Sequence, residues 1–128
     1  MKEPNWVSEN EAIALHDEAL LNHGGSPGIR DRGLLDSALA RPRQIFAYTA
    51  NANIVELAAA YTAGIVRNHP FVDGNKRTGY SVAVAFLILN GYRLATTGGM
   101  KQAVVRLAEG SMSEEDFVAF LGSATEPT

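Results

Sequence analysis

Residues 69–89 read HPFVDGNKRTGYSVAVAFLIL, a polar loop that runs directly into a strongly apolar segment. The pattern predicts a helix from about Asn75 to Asn90, with Gly91 as its C-cap. Within it, Val82–Leu89 is an uninterrupted apolar run, far shorter than the roughly 20 residues that a membrane span needs. A helix that is apolar on nearly every side requires a central position. We therefore expect this helix to be the buried centre of the fold.

Residues that can cap a helix N-terminus precede four other segments with helical periodicity. They are Ser8 (with Glu11 at the capping-box spacing), Asp31, Asn53 and Ser113. The first three helices are predicted to end at Asn22, at Arg41 before Pro42, and at Asn68. A further helix is predicted between the Gly98-Gly99 pair and Gly110.

The remaining segments are irregular. Residues 42–53 fit either a short extended flap or a helical turn, and periodicity does not choose between them. Tyr92–Thr96 hints at a strand, and Ser123–Thr128 is expected to be frayed. Together these patterns predict an all-α, compact bundle of about six helices that forms a single domain over residues 1–128.

Composition excludes several classes of function. The chain has 128 residues, 46% hydrophobic and 20% charged, with a net charge of -3 and no cysteine. We therefore expect no nucleic-acid partner, no membrane partner and no thiol chemistry. Met1–Val7 has no apolar core of the kind that a secretory signal needs, which favours a cytoplasmic protein.

The loop from His69 to Gly79 has the residues of a phosphate site. It enters the N-terminus of the apolar helix, where free amides and the helix dipole favour an anion. Gly74 permits close approach of the backbone, and Lys76 and Arg77 add two cations. Phosphate is therefore the natural ligand.

Two further side chains of the loop suit catalysis. Asp73 is placed to hold Mg²⁺, which usually takes one or two carboxylates together with substrate phosphates. His69 supplies an imidazole that can accept the proton of an attacking hydroxyl. The candidate catalytic residues are thus His69, Asp73, Lys76 and Arg77.

Residues 69–77 resemble the signature of the Fic/Doc family, His-x-Phe-x-(Asp/Glu)-(Gly/Ala)-Asn-(Gly/Lys)-Arg, and match it throughout. Fic members generally carry glycine after the asparagine and a second arginine three residues beyond the first. Here those places are Lys76 and Tyr80, and both departures point to the Doc branch, the death-on-curing toxins. Ala14–Asp17, the glycines Gly24, Gly25 and Gly28, and Leu35–Pro42 also look like the N-terminal half of Doc-type proteins.

The resemblance implies a six-helix fold, ATP with Mg²⁺ and transfer to a Ser or Thr hydroxyl of a target protein. It implies His69 as base, Asp73 as Mg²⁺ ligand, Asn75 and Arg77 as phosphate contacts and Lys76 as the Doc-specific cation. Gly74 and Lys76 complete the nucleotide-binding set, and Phe71 would anchor the loop in the core. The resemblance also implies EF-Tu as target, a separate Phd-like antitoxin, and a flap over residues 43–51 that positions the target by strand pairing.

Other residues have plainer interpretations. His16 is expected to be a hydrogen-bonded packing residue, and His23 lacks any catalytic context. Gly24–Gly28 is interpreted as a connector, and Arg41 and Arg43 as a solvated turn around Pro42. Ser111–Asp116 only vaguely resembles the inhibitory Fic motif, and Ser113 with Asp116 is better explained as a helix start, so we expect no self-inhibition.

The sequence is compatible with three functions. The first is a Doc-like toxin that transfers the γ-phosphate of ATP, and the second is transfer of AMP to a protein hydroxyl. The third is a catalytically silent binding module, which has no need of a base and a metal ligand together.

Overall fold

The computed structural model describes residues 2–128 and contains six helices and two short strands in that range. In chain order these are α1 (Glu9–His23), α2 (Arg32–Tyr48), α3 (Ile54–Asn68), α4 (Asn75–Leu89), β1 (Tyr92–Leu94), α5 (Met100–Glu109), α6 (Glu114–Ala124) and β2 (Thr125–Pro127). The all-α bundle expected from the sequence is confirmed. Across the described residues, no helix is both long and apolar enough to cross a bilayer.

The predicted N-caps are all present. At α1 the Ser8 hydroxyl accepts from the Glu11 amide and the Glu11 carboxylate accepts from the Ser8 amide, each at 3.1 Å. The other three caps each accept from the amide three residues later: Asp31 from Leu34, Asn53 from Glu56 and Ser113 from Asp116. Ser113 and Asp116 are therefore a helix start, as the sequence indicated.

The central helix is α3, and the expectation that α4 would take this place was wrong. Every residue from Leu57 to Val66 is buried, whereas Ile88 and Leu89 at the end of α4 are 61% and 41% exposed. Apolar character alone did not distinguish the two helices. The small residues of α3 decided the matter, because they let neighbouring helices approach on several sides.

Two glycines show how close this approach is. A Cβ on Gly64 of α3 would lie 3.2 Å from the Cα of Ala38 in α2. A Cβ on Gly79 of α4 would lie 3.2 Å from the side chain of Val66 and 3.3 Å from the carbonyl oxygen of Thr62. The Thr62 hydroxyl donates to the Gly79 carbonyl at 2.8 Å. The polar loop between α3 and α4 is therefore held by two helices in firm contact.

Helix α2 passes through Pro42 and continues to Tyr48, so the predicted stop at Arg41 was wrong. Proline costs a helix one hydrogen bond, but Pro42 is buried on the same face as Leu35, Ala38 and Leu39. Packing against α3 therefore outweighs local propensity. Of the two alternatives for residues 42–53, the helical one holds up to residue 48, and residues 43–48 form no extended flap.

The solvated turn expected around Pro42 is absent as well. Arg41 lies within α2 and its Nη2 is 2.8 Å from Glu114 Oε1 at the start of α6. The guanidinium carbon of Arg43 lies 5.5 Å from the centre of the Trp6 ring. Both side chains thus have specific partners.

The C-terminal residues were expected to be frayed, but residues 125–127 form the strand β2. β2 pairs antiparallel with β1, with Arg93 opposite Glu126, and this confirms the predicted strand near Tyr92. The prediction of fraying failed because a short strand finds its partner far away in the sequence. The N-terminal segment is tied to the same end of the molecule, since Asn5 and Asn90 exchange hydrogen bonds of 2.8 and 3.0 Å.

Candidate active site

His69 is the residue that ends α3, and it is exposed. Its φ of 53° and ψ of 54° place it in the left-handed region, and its amide donates to the carbonyl of Ile65 at 3.0 Å. This conformation turns the chain out of the helix by a single residue. The imidazole is therefore attached to the backbone at a tight turn of defined geometry.

The loop after His69 lies against the segment that precedes α2. The Val72 amide donates to the Gly28 carbonyl at 3.0 Å, and the Pro70 carbonyl accepts from the amides of Arg30 and Asp31 at 2.7 and 3.0 Å. Gly24–Gly28 is therefore part of the support for the active loop, and the interpretation as a simple connector was incomplete. Gly25 marks the close approach, since a Cβ at this position would lie 3.0 Å from Asp73 Oδ2.

Phe71 anchors the loop in the core, as expected. It is fully buried, and the His16 ring stacks on it with ring centres 3.8 Å apart. His16 Nε2–H donates to the backbone carbonyl of Asp73 at 2.8 Å. The expected packing role of His16 is confirmed, and this residue also supports the candidate metal ligand.

Asn75 is buried at the start of α4, and its side chain closes the loop on itself. The Phe71 amide donates to Asn75 Oδ1 at 3.0 Å, and Asn75 Nδ2 donates to the Phe71 carbonyl at 2.9 Å. Both polar atoms of the side chain are thereby engaged with backbone.

Asp73 is exposed, and each of its carboxylate oxygens accepts one backbone amide. Oδ2 accepts from Ser26 at 3.2 Å and Oδ1 from Gly74 at 2.9 Å. The hydrogen bond from Ser26, followed by that from Gly74, holds the pKa of Asp73 below its ordinary value, and charge on His69 and His16 acts in the same direction. The carboxylate is thus ionised and accessible.

The N-terminus of α4 is left open. Gly74 is its N-cap with a φ of 77° and offers no side chain, and the first helical hydrogen bond runs from the Thr78 amide to the Gly74 carbonyl. Lys76 and Arg77 in this first turn are exposed, and within residues 2–128 neither forms an ion pair. Free amides, a positive helix end and two unpaired cations therefore converge.

The structure brings His69, Asp73, Gly74, Lys76 and Arg77 together along one exposed loop and helix turn. Among the described residues there is no group of three or more His, Cys, Asp or Glu side chains that could hold a metal ion unaided. Sequence reasoning missed Ser26 and Arg30, whose contacts with the loop cross about forty positions of the chain. No local motif marks either residue.

Comparison with known proteins agrees with this arrangement. The model of the Fic/DOC family matches residues 6–87, which include α1 to α3 and most of α4. The chain is 34% identical to "Protein kinase doc" of Escherichia phage P1 over 107 residues, 84% of this chain and 85% of that relative. It is 45% identical to "Toxin Doc" of Mycolicibacterium smegmatis over 73 residues, 56% of each chain. The protein therefore belongs to the Fic/DOC family, in the branch of the Doc toxins.

Proposed function

We propose that this protein is a Doc-like toxin that transfers the γ-phosphate of ATP to a Ser or Thr hydroxyl of a target protein. The observation that carries the proposal is the loop from His69 to Arg77, which joins an exposed imidazole, an exposed carboxylate and an uncapped helix N-terminus. The names of the two relatives, one a protein kinase and one a toxin, support the same function.

The phosphates would bind at the first turn of α4. The amides of this turn have no acceptor within the helix, and the Gly74 N-cap leaves them uncovered. Lys76 and Arg77 add positive charge, and the arginine fork can bind two phosphate oxygens at once. Binding at this position would bring the reacting phosphorus to the part of the loop that begins at His69.

Asp73 suits Mg²⁺ in company with a nucleotide. Each carboxylate oxygen accepts only one backbone amide and has lone-pair capacity left for a cation. A single carboxylate fits the usual magnesium site, in which phosphates and water complete the coordination. When bound, Mg²⁺ would supply positive charge that offsets the charge on the transferred group.

His69 would act as general base. It would take the proton from the target hydroxyl as the hydroxyl oxygen bonds to the γ-phosphorus and the bond to the β-phosphate oxygen breaks, releasing ADP. Asn75 would act mainly by holding the loop, since both polar atoms of its side chain bind the backbone of Phe71. The resemblance implies a phosphate contact for Asn75, and the two roles are separable by experiment.

Residues 76 and 80 favour the γ-phosphate over the α-phosphate. Lys76 occupies the place where the Fic pattern has glycine, so the space for a deeply placed triphosphate is reduced. Tyr80 occupies the place of the second arginine, and a phenol side chain supplies no positive charge. The nucleotide would therefore present its outer phosphate at the helix amides.

The target segment would lie in the cleft between α2 and α3. This cleft of about 410 Å³ is lined by polar side chains that include Ser37, Gln44 and Asn68, and Asn68 directly precedes His69. Because residues 43–48 are helical, docking would use side chains of α2 in place of strand pairing with a flap. The resemblance implies EF-Tu as the target.

The decisive experiment incubates the protein with EF-Tu, and separately with a bacterial lysate, using ATP labelled at the γ- or the α-phosphate. We expect γ-label on a protein band and no α-label, with His69→Ala as the inactive control. Transfer of α-label would make the protein an AMP transferase. Absence of any transfer would favour a binding module.

We further propose that a separate, Phd-like antitoxin restrains the protein. Glu115, the only candidate for an inhibitory glutamate in the Ser111–Asp116 segment, lies in the first turn of α6, which Ser113 caps. Expression of the chain alone should arrest growth, and expression of His69→Ala should not. A harmless wild-type chain that is active when purified would refute the proposal in that host.

A further inference from the structure

Arg30 lies in the segment between α1 and α2, and its guanidinium reaches the end of α3. Its Nε donates to the His69 carbonyl at 2.7 Å, and its Nη2 donates to the Asn68 carbonyl at 2.9 Å. We propose that Arg30 is a positioning residue that holds His69 in its catalytic orientation. This inference rests on the proposed role of His69 as base.

The backbone of His69 needs such support because its local sequence disfavours the observed conformation. A residue with a Cβ avoids the left-handed region that His69 occupies at φ 53°. The following residue is Pro70, and a residue before proline favours extended backbone. Asn51 is the only other non-glycine residue with positive φ in the described part of the chain, and no proline follows it.

The hydrogen bonds of Arg30 are made to the backbone around His69, where the unfavourable conformation lies. Besides the two guanidinium bonds, the Arg30 amide donates to the Pro70 carbonyl at 2.7 Å. One residue thus binds three successive carbonyls, those of Asn68, His69 and Pro70. Rotation of the His69 backbone toward an extended conformation would break these bonds.

Arginine suits this role for two physical reasons. The last carbonyls of a helix lack intrahelical donors and carry the negative end of the helix dipole, so a cation is favoured there. The planar guanidinium also presents separate N–H donors in a fixed geometry, whereas a lysine offers one nitrogen on a flexible stem. Arg30 forms no ion pair in residues 2–128, so its charge is directed at the helix end.

The support of His69 is separate from the support of the phosphate side of the loop. Asp73 is held by Ser26 and His16, and Asn75 holds the loop before α4 through the backbone of Phe71. Removal of the Arg30 guanidinium should therefore affect the base and spare the nucleotide site. This separation predicts a change in kcat with little change in the KM for ATP.

The first test measures phosphotransfer by Arg30→Ala, Arg30→Lys and the matched control Arg32→Ala. Arg32 is exposed, lies two positions away and pairs with Glu9 rather than with the loop. We expect kcat to fall about 10²-fold in Arg30→Ala and about 10-fold in Arg30→Lys, because small misplacement of a catalytic group has effects of this size. Arg32→Ala should keep the wild-type kcat, and all three should keep the wild-type KM for ATP.

The second test is independent of activity and follows the three histidines by NMR in ¹⁵N-histidine-labelled protein. In Arg30→Ala the His69 backbone and imidazole signals should shift and broaden, while those of His16 and His23 stay in place. Unchanged His69 signals, or a wild-type kcat in Arg30→Ala, would overturn the proposal. A loss of kcat in which the His16 signals also move would overturn it as well, because the substitution would then have disturbed the whole loop. If the wild-type protein transfers no phosphate, the proposed function fails, and the His69 signals still decide whether Arg30 holds this residue.

Discussion

Substitution of Asn75 by alanine tests how the active loop is held. The change removes the two hydrogen bonds that join this side chain to the amide and carbonyl of Phe71. Phe71 is fully buried, so water cannot replace the lost partners. An unpaired buried polar group costs about 1–3 kcal/mol, and the two groups together should lower the free energy of unfolding by roughly 2–6 kcal/mol.

This loss is large enough to measure by thermal unfolding. For a domain of this length, 1 kcal/mol corresponds to about 4 °C in Tm, so Asn75→Ala should lower the Tm by roughly 8–24 °C. Asn75→Asp should also lower the Tm, because a carboxylate accepts from the Phe71 amide but sets a second acceptor against the Phe71 carbonyl. Asn10→Ala, at an exposed position of α1, is the matched control and should leave the Tm unchanged.

Circular dichroism melts and titration calorimetry with Mg²⁺-ATP separate the two roles of Asn75. A Tm of Asn75→Ala within about 2 °C of the wild-type value, together with lost nucleotide affinity, would refute the loop-holding role. It would favour the direct phosphate contact that the family resemblance implies. A lower Tm, together with near wild-type nucleotide affinity measured well below the melting temperature, would support the loop-holding role of Asn75.

Three other predictions follow from the same geometry. His69→Ala should lower kcat by about 10²–10⁴-fold, as expected for loss of a general base, while the helical circular dichroism signal is kept; unchanged turnover would remove His69 from the base role. Asp73→Ala should abolish Mg²⁺-dependent ATP binding in calorimetry, and retained wild-type affinity would assign the metal elsewhere. In the metal-free protein, carbon-detected NMR should find the Asp73 carboxyl titrating below its ordinary pKa, because the amides of Ser26 and Gly74 stabilise the carboxylate. The ionised Asp73 carboxylate then stabilises the fold at pH values above the unfolded-state pKa of about 3.9, and this stabilisation is lost as the pH falls through the lower folded-state pKa. A titration midpoint at or above the ordinary pKa would show that the bonds from Ser26 and Gly74 are not made in solution.

The sequence by itself determined most helix starts and the residues of the candidate site. Helix caps depend on contacts within three positions of the chain, so Ser8, Asp31, Asn53 and Ser113 could be recognised without a fold. The motif from His69 to Arg77 is equally local. Because the residues of this motif follow one another along a loop and the first turn of the next helix, the sequence already implied that the imidazole, the carboxylate and the cations would lie close together.

The tertiary structure decided the features that depend on distant partners. α3 and α4 are both apolar, and only the approach of α2 at Gly64 and of α4 at Gly79 makes α3 the centre. Pro42 stays within α2 because burial against α3 outweighs the lost helical hydrogen bond. Arg30 has no local signature, since the guanidinium finds its acceptors at Asn68 and His69 only after the chain has folded back across α2 and α3. Periodicity and capping report the nearest neighbours of a residue, whereas the support of this candidate loop comes from residues about forty to sixty positions away in sequence.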